Sequence, residues 1–191
     1  TLEVRDLDIA GPERRIPLRL YRPGTDALLP LVIYLHGGGF TRGTLDDADA
    51  PARFIAHELP AVVLAVGYAL APCHPFPAAL EEIHAAGAWA AQHAASLGAD
   101  ASRIAAAGDD AGGNLAACLA LMARDRQAFR IAAQVLIGPM LDPSMTRLGD
   151  ARRLRSDLSE DECADCYRQY LPLLSHRMHP YAAPLESCRH A

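Results

Sequence analysis

The fold of this chain is decided by one short stretch, Gly108-Asp109-Asp110-Ala111-Gly112-Gly113-Asn114. We expect a strand over 103–107 before it and a helix carrying 115–122 after it. A small-x-X-x-small pentapeptide at such a junction is the nucleophile elbow, a turn so tight that glycine or alanine must flank the central side chain. That central side chain stands clear of the sheet, in the position of an attacking group. Here it is Asp110 and not serine.

A second glycine-rich segment, His36-Gly37-Gly38-Gly39-Phe40, follows the continuous apolar run 31–35. Three glycines at the end of a buried strand allow backbone N–H groups to turn inward and approach a ligand closely. A flexible loop is the plainer interpretation, and a phosphate-binding loop is disfavoured because no Gly-Lys-Ser/Thr or G-x-G-x-x-G pattern fits. A glycine turn and an elbow together are the two halves of an acyl-transfer site, since one donates hydrogen bonds to an oxyanion and the other supplies the nucleophile.

Strands alternate with helices from Leu31 onward, after an antiparallel pair expected over 2–9 and 16–21. This order predicts an α/β fold with a doubly wound, mostly parallel sheet and antiparallel N-terminal strands. Asp49 is the expected N-cap of a helix over 49–58, an alanine-rich helix should stop at Gly98, and Ser159-x-x-Glu162 is a capping box. With no internal repeat and no linker, we expect residues 1–191 to form a single domain.

The composition is that of an ordinary globular domain, with 191 residues, 51% hydrophobic residues and a formal charge of −5. Nothing in it suggests nucleic-acid binding, and apolar runs such as 61–66 are far shorter than the ~20 residues of a membrane helix. The N-terminus has no basic segment followed by an apolar one, so no export signal is visible. Five cysteines do not indicate a disulfide framework, and the lone C-x-x-C of Cys163 and Cys166 supports neither zinc nor redox chemistry. We therefore expect a cytoplasmic protein with plain thiols, no metal and no cofactor.

Five motifs in a fixed order make the chain similar to the hormone-sensitive-lipase-like branch of the α/β-hydrolases, which are carboxylesterases and lipases. The resemblance covers the chain from about Leu2 to Leu185 and implies the α/β-hydrolase fold. It also implies a carboxylic-ester hydrolase acting on small acyl esters. The motifs are His36-Gly37-Gly38-Gly39-Phe40, then Tyr68-Ala69-Leu70-Ala71-Pro72 with His74-Pro75-Phe76-Pro77-Ala78-Ala79-Leu80, then the elbow, then Pro139-Met140-Leu141-Asp142, then Pro180-Tyr181-Ala182-Ala183-Pro184-Leu185.

The same resemblance implies the residues of the site. The backbone N–H groups of Gly38, Gly39 and Ala111 would form the oxyanion hole, and Asp110 holds the nucleophile position. Each such donor contributes roughly 3 kcal/mol of transition-state stabilisation in a working site. His36 would brace the glycine loop rather than act as a base.

Three departures from the family pattern bear on activity. The family elbow reads Gly-Asp-Ser-Ala-Gly-Gly, whereas Asp110 stands at the serine. The triad acid and histidine belong on loops after two later strands, so we expect 1–191 to lack that C-terminal third, along with most of the N-terminal cap helices. Asp142 comes too early to be the triad acid, and none of the eight histidines sits in the motif of the base. Ala69 and Cys73 replace the usual arginine and glutamate, which weakens a surface pairing.

Asp110 is a poor nucleophile for an ester carbonyl. Its attack would form an unstable anhydride, and its negative charge would face the hole that should stabilise a second negative charge. We therefore expect this chain to be nearly inactive on ordinary esters. One alternative is a binding module that keeps the pocket without catalysis. Another is an aspartate-nucleophile hydrolase acting on alkyl substrates, as haloalkane dehalogenases and epoxide hydrolases do, although those lack the triple-glycine loop and require a histidine.

Smaller signals have structural interpretations. Asp109 most simply supports the turn, and the paired acids Glu81-Glu82 are most simply solvated. A sheet that ended after the strand over 132–137 would expose an edge and leave apolar faces uncovered, so such a chain should either aggregate or pair with another copy. A small-molecule ester is the expected substrate, and a homo-oligomer is an expected state.

Overall fold

The computed structural model describes residues 1–145 and 159–186. Its centre is a six-stranded sheet of β1 Leu2–Ala10, β2 Arg15–Pro23, β3 Leu29–Leu35, β4 Val62–Val66, β5 Ala99–Asp109 and β6 Ala133–Ile137. The strand order is β1-β2-β4-β3-β5-β6. The pairs β1–β2 and β2–β4 are antiparallel, and β4, β3, β5 and β6 run parallel. The predicted mixed sheet with antiparallel N-terminal strands is therefore confirmed.

Helices cover both faces of this sheet. The first helix packs on one face with Tyr21, Tyr34 and Val63, while the apolar sides of the other three face a larger core that contains Ile33 and Leu64. Every residue of β4 is buried, as expected for a continuous apolar run covered on both sides. The helices are α1 Asp49–Glu58, α2 Ala78–His93, α3 Asp110–Arg126 and α4 Glu160–Tyr170.

The helix ends largely follow the signals in the sequence. The Ser159 and Glu162 side chains form the predicted reciprocal capping box at α4. A 3-10 turn extends α2 to Gly98, whose φ of 76° places it in the left-handed region that glycine favours. Asp49 was wrongly expected as the N-cap of α1. It is the first helical residue, because its carboxylate is engaged by the Tyr21 hydroxyl and by Arg53 one turn later.

Within the described residues, β6 is one of the two edge strands of the sheet, opposite β1. Val135 and Ile137 are 53% and 54% exposed there. Across residues 1–145 and 159–186, no helix combines the length and hydropathy needed to cross a membrane. The same residues contain no cluster of three or more groups that could hold a metal ion.

The topology brings the two glycine-rich segments together. Strands β3 and β5 are parallel neighbours, and Leu35, the last residue of β3, pairs with Gly108 near the end of β5. Parallel strands present their carboxyl ends at the same edge of the sheet. The loop after β3 and the turn after β5 therefore lie side by side.

Candidate functional site at the elbow and the glycine loop

The elbow is a sharp strand-to-helix junction. β5 ends at Asp109 and α3 begins at Asp110, which has a φ of 51°. A side chain at Gly112 would overlap the carbonyl oxygen of Leu35, and one at Gly108 would overlap the backbone of Gly112. Small residues on both sides of Asp110 are therefore a steric requirement. The positive φ is costly for a residue other than glycine, which is typical of functional turns.

The glycine loop points two backbone N–H groups at Asp110. Gly38 and Gly39 have φ values of 116° and 61°, in the left-handed region. Their N–H groups donate to Oδ2 of Asp110 at 2.9 and 2.8 Å. Among the hydrogen bonds of the described residues, none reaches Oδ1 of Asp110, which belongs to a half-buried side chain. The two carboxylate oxygens are therefore in different environments.

The third expected donor behaves differently. Ala111 is fully buried in the first turn of α3. The hydrogen bonds found for the described residues do not include one from its N–H to the Asp110 carboxylate. Its place in an oxyanion hole stays a prediction.

The loop after β6 is tied to the elbow. The Asp110 carbonyl oxygen accepts a hydrogen bond from the Met140 N–H at 3.0 Å. The buried Asn114 amide donates to the carbonyl oxygens of Met140 and Ala182 at 2.7 and 3.2 Å. Three motifs that lie far apart in the sequence thus meet around the start of α3.

Asp109 supports the turn from below. Its Oδ1 accepts a hydrogen bond from the Tyr34 hydroxyl at 2.7 Å, and a side chain at Gly37 would overlap its Oδ2. Burial, with the neighbouring carboxylate, raises the pKa of Tyr34 above its usual range. Tyr34 therefore stays a neutral hydrogen-bond donor, and Asp109 connects β3 to the elbow.

His36 is held inside the glycine loop. Its ring stacks on Tyr68 with 4.3 Å between centroids, and its Nδ1 lies 2.8 Å from the Gly37 carbonyl oxygen. The Tyr68 hydroxyl donates to the His36 carbonyl oxygen at 2.7 Å. Burial lowers the pKa of His36. A buried neutral ring fixed in this way braces the loop, and its hydrogen bonds do not involve Asp110.

Helix α4 packs against the glycine loop. The sequence did not predict this contact. Tyr170 stacks on Phe40 with 4.0 Å between ring centroids. A side chain at Gly39 would overlap Sγ of Cys166. Burial raises the pKa of Cys163, and the negative charge of Asp110 adds to this effect, so this thiol also belongs to the surroundings of the elbow. The capping box indicated a helix, but nothing in it indicated which loop the helix covers.

Glu82 is buried, so its expected exposure to solvent was wrong. It is 4% exposed, its Oε2 accepts a hydrogen bond from Nη2 of Arg14 at 2.8 Å, and its Oε1 forms an ion pair with Nε of Arg14 at 2.7 Å. Its Oε2 also accepts a hydrogen bond from the Ala69 N–H at 2.7 Å. Its neighbour Glu81 points outward and pairs with Arg126. Glu82 lies on the side of α2 that faces the core. Arg14, in the turn between β1 and β2, supplies the compensating positive charge.

The sequence matches a known protein family and named relatives. The model of a family described as alpha/beta hydrolase fold matches residues 32–190. The chain belongs to this family. Esterase LipI of Mycobacterium tuberculosis is 46% identical over 154 residues, which are 78% of this chain and 48% of that protein. Hormone-sensitive lipase of Bos taurus is 43% identical over 113 residues, which are 59% of this chain and 15% of that protein.

Solved structures in the family agree with the fold. A hyperthermophilic esterase from the archaeon Pyrobaculum calidifontis superposes with a TM-score of 0.90 at 40% identity, covering 97% of this chain and 62% of that chain. The predicted resemblance to hormone-sensitive-lipase-like α/β-hydrolases is confirmed. The chain spans about half the length of the curated relatives LipI and NlhH that it matches.

Proposed function

We propose that this chain carries the oxyanion-binding half of a carboxylic-ester hydrolase site for small acyl esters, with Asp110 in the nucleophile position. One observation carries the proposal: the Gly38 and Gly39 N–H groups converge on a single oxygen of the residue 110 side chain. The esterase and lipase names of the relatives support the same reaction class.

The distances are those that an oxyanion hole requires. Effective donors lie about 2.7–3.1 Å from the position of the oxyanion. Oδ2 of Asp110 lies 2.9 and 2.8 Å from the two nitrogens, and thus stands in for the negative oxygen of a tetrahedral intermediate. With serine at 110, Oγ would attack the carbonyl carbon, and the developing oxyanion would take the place that Oδ2 now fills.

Asp110 therefore inhibits the reaction in two ways. Its carboxylate occupies both N–H groups, so an ester carbonyl cannot use them. Its charge also repels the negative charge that would develop there. We expect ester hydrolysis by the protein with Asp110 to be close to the uncatalysed rate.

The test compares the protein expressed in full from its gene with two variants, using p-nitrophenyl acetate. Asp110→Ala empties the hole without adding a nucleophile, whereas Asp110→Ser empties it and adds one. We expect Asp110→Ser to hydrolyse the ester at least about 100-fold faster than the other two proteins. A parent protein as fast as a serine esterase, with aspartate at 110 confirmed by mass, would refute the proposed role of this residue.

A binding module without catalysis is the second candidate. The observation in its favour is that the Asp110 carboxylate itself fills the two donors. This candidate predicts that a folded Asp110→Ser variant binds ester-like ligands and still hydrolyses none. Recovery of esterase activity in that variant would eliminate it.

The remaining expectations concern the whole protein. A small-molecule ester is the proposed partner of the site. Pairing with another copy of the chain is proposed as well. A cytoplasmic location is proposed from the free thiols found among the described residues.

A further inference from the structure

Residues 174–183, the return segment, follow α4 and lead back to the elbow, and His179 holds their turn together. The Tyr181 N–H donates to Nδ1 of His179 at 3.1 Å. The N–H groups of Ala182 and Ala183 both donate to the His179 carbonyl oxygen at 2.9 Å. The side chain and the backbone of His179 therefore fix the same turn.

Contacts of this turn lead to both halves of the site. On one side, the His179 ring lies 5.1 Å from the Phe76 ring, and the Phe76 N–H donates to the carbonyl oxygen of Tyr170, the residue that stacks on the glycine loop. On the other side, the Ala182 carbonyl oxygen accepts a hydrogen bond from the Asn114 amide near the start of α3. His179 thus lies between the glycine loop and the elbow.

We propose that His179 is a positioning residue for both halves of the site, and that its protonation weakens the contacts of both. A neutral imidazole has one donor nitrogen and one acceptor nitrogen. Because Nδ1 accepts the Tyr181 N–H, Nε2 carries the proton of the neutral ring. A second proton, taken from solvent, can enter only at Nδ1. Nδ1 would then be a donor facing the Tyr181 N–H, so this hydrogen bond would break.

The charged groups of the return segment favour the neutral ring. Burial lowers the pKa of His179, and the neighbouring His176 lowers it further. Arg177 adds a second positive charge to the same segment. A proton on His179 would therefore meet like charges.

The helices packed against the segment do not reverse this preference. On the side of α3, the Asp125 carboxylate is engaged by Arg124 and by the Tyr181 hydroxyl. On the side of α4, burial keeps Tyr170 neutral by raising its pKa well above the usual range. The unfolded chain takes up the histidine proton near pH ~6.5, whereas the folded protein does so only at a lower pH. The stabilisation by neutral His179 is complete above the unfolded pKa and is lost as pH falls through the folded one.

This inference deepens the proposed function, since the site that it regulates is the proposed oxyanion hole, but its test needs no ester. NMR spectra of the full protein are recorded from about pH 8 to about pH 5, a range that includes the ordinary histidine pKa. We expect the His179 ring to titrate below that ordinary value. The amide protons of Tyr181, Gly38 and Gly39 and the side-chain amide of Asn114 should shift with the same midpoint. Failure of the ester test would leave this result unaffected.

Two variants are the matched controls. His179→Asn keeps an acceptor for the N–H two residues later, as asparagine does in turns, but cannot be protonated. It should keep the shifts of the parent near neutral pH and lose the step. His57→Gln removes an exposed histidine elsewhere and should leave the step unchanged.

Two outcomes would overturn the proposal. In the parent protein, Gly38 and Gly39 protons that did not follow the His179 midpoint would do so even if His179→Asn failed to fold. A step that persisted in a folded His179→Asn variant would do so as well, because it would then belong to another group such as His36.

Discussion

Glu82 and Asp110 both accept hydrogen bonds from the N–H groups of distant loops, but the charges around the two carboxylates differ. Glu82 is 4% exposed, accepts the Ala69 N–H, and is neutralised by Arg14 through both of its oxygens. Asp110 is half-buried, accepts the Gly38 and Gly39 N–H groups, and has no cation partner in the ion pairs of the described residues. The first arrangement compensates a buried charge, and the second leaves a charge available.

The backbone conformations at Glu82 and Asp110 also differ. Glu82 lies inside a regular helix, whereas Asp110 has a φ of 51° at the junction of a strand and a helix. Backbone strain and an unneutralised charge are typical of functional positions, where they are retained at a cost to stability. The difference between the two carboxylates thus separates a structural residue from a candidate reactive one.

The largest expected effect is on the free energy of unfolding, which should depend strongly on the partner of Glu82 and weakly on Asp110. Arg14→Ala leaves Glu82 charged and buried, and should lower the free energy of unfolding by about 3 kcal/mol. This is the lower end of the usual range, since the Arg14 side chain is 34% exposed. Asp110→Ala removes a half-buried charge whose N–H partners can turn to water, and should change the free energy of unfolding by less than about 1 kcal/mol. Urea unfolding of both variants measures the difference.

The control for that comparison is Arg126→Ala. Arg126, the last residue of α3, pairs with Glu81 of α2, next to Glu82, but both side chains are 39% exposed. Its loss should lower the free energy of unfolding by no more than about 1 kcal/mol. If Asp110→Ala destabilised the protein more than Arg14→Ala, the assignment of structural and reactive roles would be reversed.

A smaller loss of stability is expected where α4 packs against the glycine loop. Gly39→Ala places a methyl group against Cys166 Sγ at a residue with a φ of 61°. We expect it to lower the free energy of unfolding by about 2 kcal/mol, of which about 1 kcal/mol is backbone strain. Cys166→Ala should relieve the steric part, so that the double variant recovers about 1 kcal/mol relative to the sum of the single changes.

A double-mutant cycle in urea gives this coupling directly. Additive effects of Gly39→Ala and Cys166→Ala would show that the helix and the loop do not contact each other as described. A positive coupling would show that the donors facing Asp110 are held from two sides, by β3 and by α4.

The convergence of the loop and the elbow could be predicted because its cause is local and topological. Buried apolar runs before Gly37 and before Asp109 indicate parallel strands, and the glycine-rich turns must follow at one edge. Glycine spacing around Asp110 then forces the side chain outward. These signals lie within a few residues of the site and need no knowledge of distant partners.

The features that the sequence did not predict depend on contacts between distant segments of the chain. The partner of Glu82 lies 68 positions earlier, at Arg14, so nothing near Glu82 indicated that it would be buried. The packing of Cys166 on Gly39 depends on how α4 returns to the sheet. Asp49 had the composition of an N-cap, but Tyr21 on β2 and Arg53 engaged its carboxylate. In each case a tertiary contact decided the outcome.

The Gly38 and Gly39 N–H groups donate hydrogen bonds to the Asp110 side chain. Comparison of amide proton shifts in the parent protein and in Asp110→Ala tests these bonds most directly. We predict that the Gly38 and Gly39 amide protons lie far downfield in the parent and both move upfield in the variant, while the Ala69 proton, which bonds Glu82, stays in place. Unchanged Gly38 and Gly39 shifts in a folded Asp110→Ala protein would contradict the account.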